Sequence, residues 1–282
     1  MKILISGASG FVGKHLTSEL DKTDFEIFDR SKKKINELNS WVKYGKKDIL
    51  IFLSGKTSIS ESWENPYKTY NANTKALHIA LEYCLKFKVK LIFFSSFIYK
   101  INEFGVYKET DETKPYNPYA LSKISSENLI KFYVSNFKLD AVILRPFNIY
   151  GPGQKNSFII SHIFHQLQKG NTIHLKSTEP VRDYIFVKDV IKALILVIKK
   201  PFYGLKIYNL STGKGTSVNE LVELISKITK KKLYVKLLEE NEKINVNKAV
   251  GDNSTFKKDY GWEPSFSLKK GLKICKDYYL KK

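Results

Sequence analysis

The stretch Ile3-Leu4-Ile5-Ser6-Gly7-Ala8-Ser9-Gly10-Phe11-Val12-Gly13 decides the fold. Its apolar start reads as a buried strand, and Val12, Leu16 and Leu20 follow at helical spacing. Between the two, Gly7 and Gly10 permit a tight turn whose backbone N–H groups can approach a pyrophosphate. Gly13 lets the helix pack close to the strand, with its positive end facing the phosphates. The spacing is G-x-x-G-x-x-G rather than G-x-G-x-x-G, and a glycine turn alone could be a plain connection. The strand before it and the helix after it favour a dinucleotide site lined by Gly7, Gly10, Phe11, Val12 and Gly13.

Outward from that turn, apolar runs near 2–6, 25–29, 48–54, 89–95 and 139–145 alternate with helical patterns near 11–21, 67–86 and 118–137. Such alternation predicts an α/β fold, a Rossmann-type doubly wound parallel sheet. After Arg145 the texture changes. Gly151-Pro152-Gly153 leads to a helix, a short strand near 172–175, an extended piece at 181–187, an amphipathic helix (Val218, Leu221, Leu224, Ile225, Ile228) and a helical tail. The expected organisation is a dinucleotide-binding domain over 1–145 with a returning segment near 181–212. A smaller C-terminal α/β substrate lobe would come from 146–180 and 213–282. Asp29 ends the second strand, where a carboxylate accepts from a ribose 2′-hydroxyl and favours NAD. Arg30-Ser31-Lys32-Lys33-Lys34 follows at once and could hold a 2′-phosphate, so NADP stays possible.

Composition narrows the classes. With 43% hydrophobic and 27% charged residues, this is an ordinary globular chain of 282 residues. Its apolar run Ala193–Ile198 is far too short to cross a bilayer, so no membrane partner is expected. The N-terminus runs straight into the strand and does not read as a secretory leader. Cys84 and Cys275 have neither metal nor disulfide spacing, and His162 with His165 reads as a helix face. No metal is expected, and a reducing cytoplasm suits the cysteines. The net charge of +20 comes from lysines spread along the chain, without an aromatic-interleaved basic segment, which argues against a nucleic-acid partner. Only Arg30, Arg145 and Arg182 are arginine, and such rare arginines mark places where a planar fork is needed.

The chemistry gathers downstream. Tyr119-Ala120-Leu121-Ser122-Lys123 sets a phenol and an ammonium four residues apart on a predicted helix, hence on one face. A fixed cation can stabilise the phenolate that a tyrosine base requires. Ser95 and Ser96 end the run Leu91-Ile92-Phe93-Phe94, at the carboxyl end of a strand where open parallel sheets bind ligands. With these motifs in order, the chain resembles the extended short-chain dehydrogenase/reductase family, in its nucleotide-sugar epimerase, dehydratase and reductase branch. The resemblance also rests on Asp48–Gly55, Asn73 with Ala76 and Glu82, Phe94–Tyr99, Leu144–Gln154, Arg182–Val190, Tyr208–Gly213 and Gly261–Pro264.

The resemblance implies that Ser95, Tyr119 and Lys123 are catalytic. Tyr119 would exchange a proton with the sugar's C4 oxygen, Lys123 would lower its pKa and hold the nicotinamide ribose, and Ser95 would bond the reacting oxygen. Leu53, Ser54, Gly55 and Asn73 would join the cofactor site with Tyr119 and Lys123. Ser96, Asn148, Gln154 and Arg182 would contact the nucleotide-sugar substrate, Asn148 and Arg182 at its diphosphate, and Lys243 is what remains of a late base-recognition motif. A homodimer packed through the helices near 67–86 and 118–137 is the family's expectation.

Departures from the pattern bear on the reaction. Only 18 residues separate Asp29 from Asp48, too few for the family's usual helix, third strand and adenine-contacting acid, so that strand should be missing or rudimentary. Ser96-Phe97 stands where dehydratases carry an Asp-Glu pair, which disfavours dehydration. A shortened adenine side retains cofactor less well. That favours a reductase of a 4-keto (6-deoxy) nucleotide sugar over a nucleotide-sugar 4-epimerase. A non-catalytic cofactor sensor or RNA-binding member ranks below both, because Tyr119 and Lys123 are both kept.

Overall fold

The computed structural model describes residues 1–28, 34–99, 104–238 and 247–281. Asp29, Arg30 and Lys243 lie outside the described residues. Along the chain run β1 (Ile3–Ser6), α1 (Phe11–Glu19), β2 (Phe25–Phe28), α2 (Leu38–Val42), β3 (Ile49–Phe52), α3 (Ile59–Glu64) and α4 (Pro66–Tyr70). A π-helical turn, Asn71–Lys75, leads into α5 (Ala76–Phe87), β4 (Lys90–Phe94), β5 (Val106–Tyr107), α6 (Pro118–Phe137) and β6 (Ala141–Pro146). There follow β7 (Asn148–Tyr150), α7 (Ile159–Leu167), β8 (Thr172–Leu175), β9 (Val181–Phe186), α8 (Val187–Lys199) and β10 (Leu205–Leu210). The chain closes with β11 (Gly215–Ser217), α9 (Val218–Thr229), β12 (Tyr234–Leu237), β13 (Lys248–Gly251), α10 (Ser254–Tyr260) and α11 (Leu268–Tyr279).

Contacts divide the chain into two compact units. The first holds Met1–Lys100, Thr110–Arg145 and Leu194–Tyr208. Its sheet has the order β10-β6-β4-β3-β1-β2, parallel at the β1–β2, β1–β3, β3–β4 and β4–β6 pairings. Strands covered on both faces must be apolar throughout rather than alternating. Ile3–Ile5, Ile49–Phe52, Leu91–Phe93 and Ala141–Leu144 are accordingly all buried. The core on one face joins Leu50, Phe52, Leu91 and Phe93 to the inward stripe Ala76, Leu77, Ala80, Leu81 and Cys84 of α5. Among the described residues between β2 and β3, the only regular element is the five-residue α2, and the sheet ends at β2. Trp41 of α2 stacks on Phe28 at 4.0 Å and donates its indole N–H to the Ile35 carbonyl, sealing that edge without another strand.

The second unit comprises Ile101–Glu109, Pro146–Ala193 and Asn209–Lys282. Its sheet runs β11-β9-β13-β5, with β7 parallel to β9. The core gathers Ile160, Ile163, Phe164 and Leu167 of α7, Leu221, Val222 and Ile225 of α9, and Leu272 and Cys275 of α11. A capping box starts α9, Ser217 accepting from the Glu220 N–H while the Glu220 carboxylate accepts from Ser217 N. Three helices end unusually. Lys88, Lys138 and Lys230, all exposed, close α5, α6 and α9 in the left-handed region at φ 54°, 56° and 56°. Among the described residues no helix is long and apolar enough to cross a membrane.

Candidate active site

The glycine turn is built by backbone approach. Gly7 lies at φ +91°, and a Cβ there would sit 2.6 Å from Ser54 N and 2.7 Å from Leu53 C. A Cβ on Gly13 would fall 2.3 Å from the Gly7 carbonyl oxygen, so the first turn of α1 rests directly on the turn that precedes it. Gly10 caps α1 without a side-chain bond, and no acid stands in that first turn. The helix end therefore presents N–H groups and the positive end of its dipole without a competing carboxylate. Leu53 N donates to the Ser6 carbonyl at 2.8 Å, and the buried Ser6 and Ser54 hydroxyls pair at 2.6 Å. These contacts bring Leu53, Ser54 and Gly55, just beyond β3, beside the turn that follows β1. A cradle that tolerates no Cβ at Gly7 or Gly13 fits a bound pyrophosphate.

Asn73 ties this loop to α6. Its Oδ1 accepts from Lys56 N at 2.7 Å, while its Nδ2 donates to the Lys56 carbonyl at 3.1 Å and to Ser122 Oγ at 2.9 Å. Ser122 Oγ in turn donates to the Tyr119 carbonyl at 2.7 Å. Thr74, also in the π turn, donates to the Ser122 carbonyl. The same Asn73 Oδ1 lies 2.7 Å from where a Gly55 Cβ would stand, so glycine at 55 makes room for the amide.

Asn117 caps α6, its Oδ1 accepting from Ala120 N at 2.7 Å, and Pro118 fills the first helical position where no N–H is needed. Tyr119 thus stands in the first turn of a 20-residue helix, half-buried, with Lys123 one turn on and buried. Lys123 Nζ donates to the Phe94 carbonyl at 2.8 Å and lies 6.0 Å from the centre of the Tyr119 ring. Burial draws the Lys123 ammonium down to about 8, with the Glu127 carboxylate working in the opposite direction. Burial pushes the Tyr119 phenol up, and a hydrogen bond with Ser96 works against that rise.

The serine that acts on the Tyr119 phenol is therefore Ser96. Among the described residues the buried Ser95 Oγ has no hydrogen-bond partner, although Ser95 N is tied to the Leu144 carbonyl at 2.8 Å. A buried hydroxyl without a partner costs about 1–3 kcal/mol unless a ligand or solvent satisfies it, which suits a side chain kept for a ligand.

Beneath Lys123 lies a charged group that motif reading did not single out as functional. Glu127 accepts from Arg145 Nε at 2.9 Å and Nη2 at 2.6 Å, a bidentate pair in which both side chains are only 2% exposed. Arg145 Nη1 donates to the Tyr99 hydroxyl at 3.0 Å. Burial opposes the Arg145 charge, but the Glu127 carboxylate outweighs it and raises the guanidinium pKa. The signal available was the four-residue step from Lys123 to Glu127 on one helix face; nothing in the sequence pairs Glu127 with Arg145.

The remaining expected residues belong to the second unit. Asn148 Nδ2 donates to the Asp183 carbonyl at 3.3 Å, Gln154 is buried with its Nε2 on the Ile149 carbonyl, and Arg182 Nη1 donates to the Val181 and Asn247 carbonyls. Next to Arg182, the fully buried Asp183 accepts from Thr212 N, Thr212 Oγ1 and Gly213 N within 2.9 Å and from Gly251 N at 3.4 Å. Asp183 therefore fixes the strand that carries Arg182. Among the described residues no group of three or more His, Cys, Asp or Glu side chains could hold a metal.

Comparison with known proteins gives the family and the fold. The family model described as NAD dependent epimerase/dehydratase matches residues 3–211. GDP-6-deoxy-D-talose 4-dehydrogenase of Aggregatibacter actinomycetemcomitans is 30% identical over 248 residues, covering 84% of this chain and 83% of that protein. GDP-6-deoxy-D-mannose reductase of Pseudomonas aeruginosa is 27% identical over 300 residues, covering 96% and 95%. The crystal structure of UDP-glucose 4-epimerase with UDP-glucose from Thermotoga maritima superposes with a TM-score of 0.88 at 26% identity, over 99% of both chains.

Proposed function

The chain belongs to the NAD dependent epimerase/dehydratase family, and from that premise we propose that it is an oxidoreductase acting at C4 of a nucleotide-activated sugar. The direction we favour is reduction of a 4-keto, 6-deoxy sugar. The nicotinamide cofactor, when bound, supplies the hydride; NAD is the preferred form, with NADP the other. The turn at Gly7, Gly10, Phe11, Val12 and Gly13 and the Leu53–Gly55 loop would hold it, with Asn73 bracing that loop and Lys123 on its ribose. Ser95, Ser96, Asn148, Gln154 and Arg182 would serve the substrate.

The observation that carries the reading is Tyr119, half-buried in the first turn of α6 with the Lys123 ammonium on the same helix face. Burial raises its pKa, so the resting phenol holds its proton and is ready to give it to a C4 oxygen as that oxygen gains negative charge. The phenolate left behind is stabilised by the ammonium of Lys123 and by the positive end of α6. Ser95 Oγ, lacking a partner among the described residues, has a bond to spare for the reacting carbonyl. Ser96 and Phe97 offer no carboxylate to abstract a C5 proton, which supports reduction over dehydration. The name of one relative, a reductase of GDP-6-deoxy-D-mannose, supports the same direction, and that of another, a 4-dehydrogenase of GDP-6-deoxy-D-talose, supports redox chemistry at C4.

A second reading, 4-epimerisation, is favoured by the likeness over 99% of the chain to UDP-glucose 4-epimerase. Purified protein given a 4-keto-6-deoxy nucleotide sugar and NADH or NADPH should consume the reduced cofactor stoichiometrically. Interconversion of two 4-hydroxy sugars with no net change at 340 nm would establish the epimerase instead. Tyr119→Phe should lower kcat by about 10²–10⁴-fold with the circular dichroism spectrum unchanged. Retention of most activity removes Tyr119 as the proton donor.

A further inference from the structure

We infer that Glu127 is a positioning residue for Lys123: its carboxylate, oriented by Arg145 and Tyr99, keeps the lysine in its ammonium form beside Tyr119. The inference rests on the reading of Tyr119 and Lys123 as the catalytic pair. Its first ground is placement. Glu127 follows Lys123 by four residues on α6, which sets the two side chains on one face, and both are buried. The second is cost. An ammonium taken out of water loses its proton unless an opposite charge stays within a few ångströms. Around Lys123, β4 contributes the Phe94 carbonyl and the Phe93 ring at 4.9 Å, and Gly55 backbone lies beyond β3. Its own helix contributes Tyr119 and Glu127, and of these groups only Glu127 is an anion when the phenol is protonated.

The third ground is how the anion is held. A buried carboxylate needs an opposite charge and hydrogen bonds on its oxygens. Arg145 supplies both with two hydrogen bonds, and its own orientation is fixed by the Tyr99 hydroxyl and by the Tyr99 ring 4.9 Å from its guanidinium carbon. Guanidinium and carboxylate cancel, leaving the buried group of Lys123, Glu127 and Arg145 with one positive charge, nearest the phenol. Removing the carboxylate alone would put two buried cations side by side, and Lys123, with the weaker hold on its proton, would give way.

The test reads the lysine directly. In protein labelled at lysine Nζ, with the Lys123 resonance assigned by its loss in Lys123→Met, the titration midpoint should fall by at least one pH unit in Glu127→Gln. In Arg145→Met the midpoint should rise, because Lys123 becomes the carboxylate's counter-ion. In the double variant it should return to within about half a unit of wild type, since both charges are gone. The alkaline limb of the kcat profile should move in the same directions. If Glu127→Gln does not fold, the rise expected of Arg145→Met and its reversal in the double variant still decide the matter. A midpoint that stays put in Glu127→Gln, or falls in Arg145→Met, overturns the inference. Because the resonance needs no substrate, failure here is distinct from failure of the proposed reaction, which the Tyr119→Phe assay judges.

Discussion

Glu127 in the first unit and Asp183 in the second are both buried acids, yet their charges are met in opposite ways. Glu127 faces a guanidinium that grips both carboxylate oxygens. Among the described residues Asp183 meets no such cation and relies on three backbone N–H groups and the Thr212 hydroxyl. The outcomes differ accordingly. Burial raises the Asp183 pKa even against all four hydrogen bonds, whereas Glu127 has a full counter-charge at 2.6 Å. A carboxylate satisfied by dipoles works as a staple, here joining β9 to Thr212, Gly213 and Gly251. One held by a cation can also act on a third charge, and Lys123 stands one helical turn away.

The contrast can be broken experimentally. Glu127→Ala leaves a buried guanidinium uncompensated and should cost about 3–5 kcal/mol in urea unfolding; a loss under 1 kcal/mol would erase the distinction. Lys123 comes next. Its folded pKa, about 8, lies below the ordinary lysine value, so between the two the unfolded chain holds a proton that the folded chain has released. Its contribution to stability is therefore lost as pH falls through 8 and rises towards pH 10. Lys123→Met abolishes this titration, and its stability difference from wild type should change by about 3 kcal/mol across that window. Asp183→Asn should cost less, about 1–3 kcal/mol, because one amide edge turns its own donors toward N–H groups. Its sign with pH is distinctive. The folded pKa of Asp183 is raised, so wild type binds this proton more tightly when folded, and its advantage over Asp183→Asn should widen as the solution is acidified. A stability gap between the two proteins that stays constant from neutral pH down to about pH 4 would contradict that.

Much of this contrast was hidden in the linear sequence, and the reason is distance along the chain. The glycine turn was readable because Ile3–Ser6, the turn and α1 are contiguous, and a doubly covered sheet leaves unbroken apolar runs at β1, β3, β4 and β6. Tyr119 and Lys123 were legible from helical spacing. Glu127 and Arg145 lie 18 residues apart on a helix and a strand, and only packing makes them partners. The choice between Ser95 and Ser96 could not be read from two identical neighbours, since the chain's course after β4 decides which hydroxyl meets Tyr119. The short adenine side was anticipated from the count between Asp29 and Asp48, but the sealing role of Trp41 was not. Val106–Tyr107, a two-residue strand paired with Val250–Gly251, carries no periodicity to detect.

Lys88, Lys138 and Lys230 have a practical use far from the chemistry. A composition so rich in lysine has spilled into three helix-ending positions whose backbone shape suits glycine. Each exposed side chain holds a left-handed backbone at a cost of about 1 kcal/mol that glycine largely avoids. Exchanging all three for glycine offers thermal hardening, about 2–4 °C in Tm per site by scanning calorimetry, while turnover stays as it was. The same swap would lower the net charge from +20 to +17, a mild step towards less non-specific adhesion to anionic surfaces.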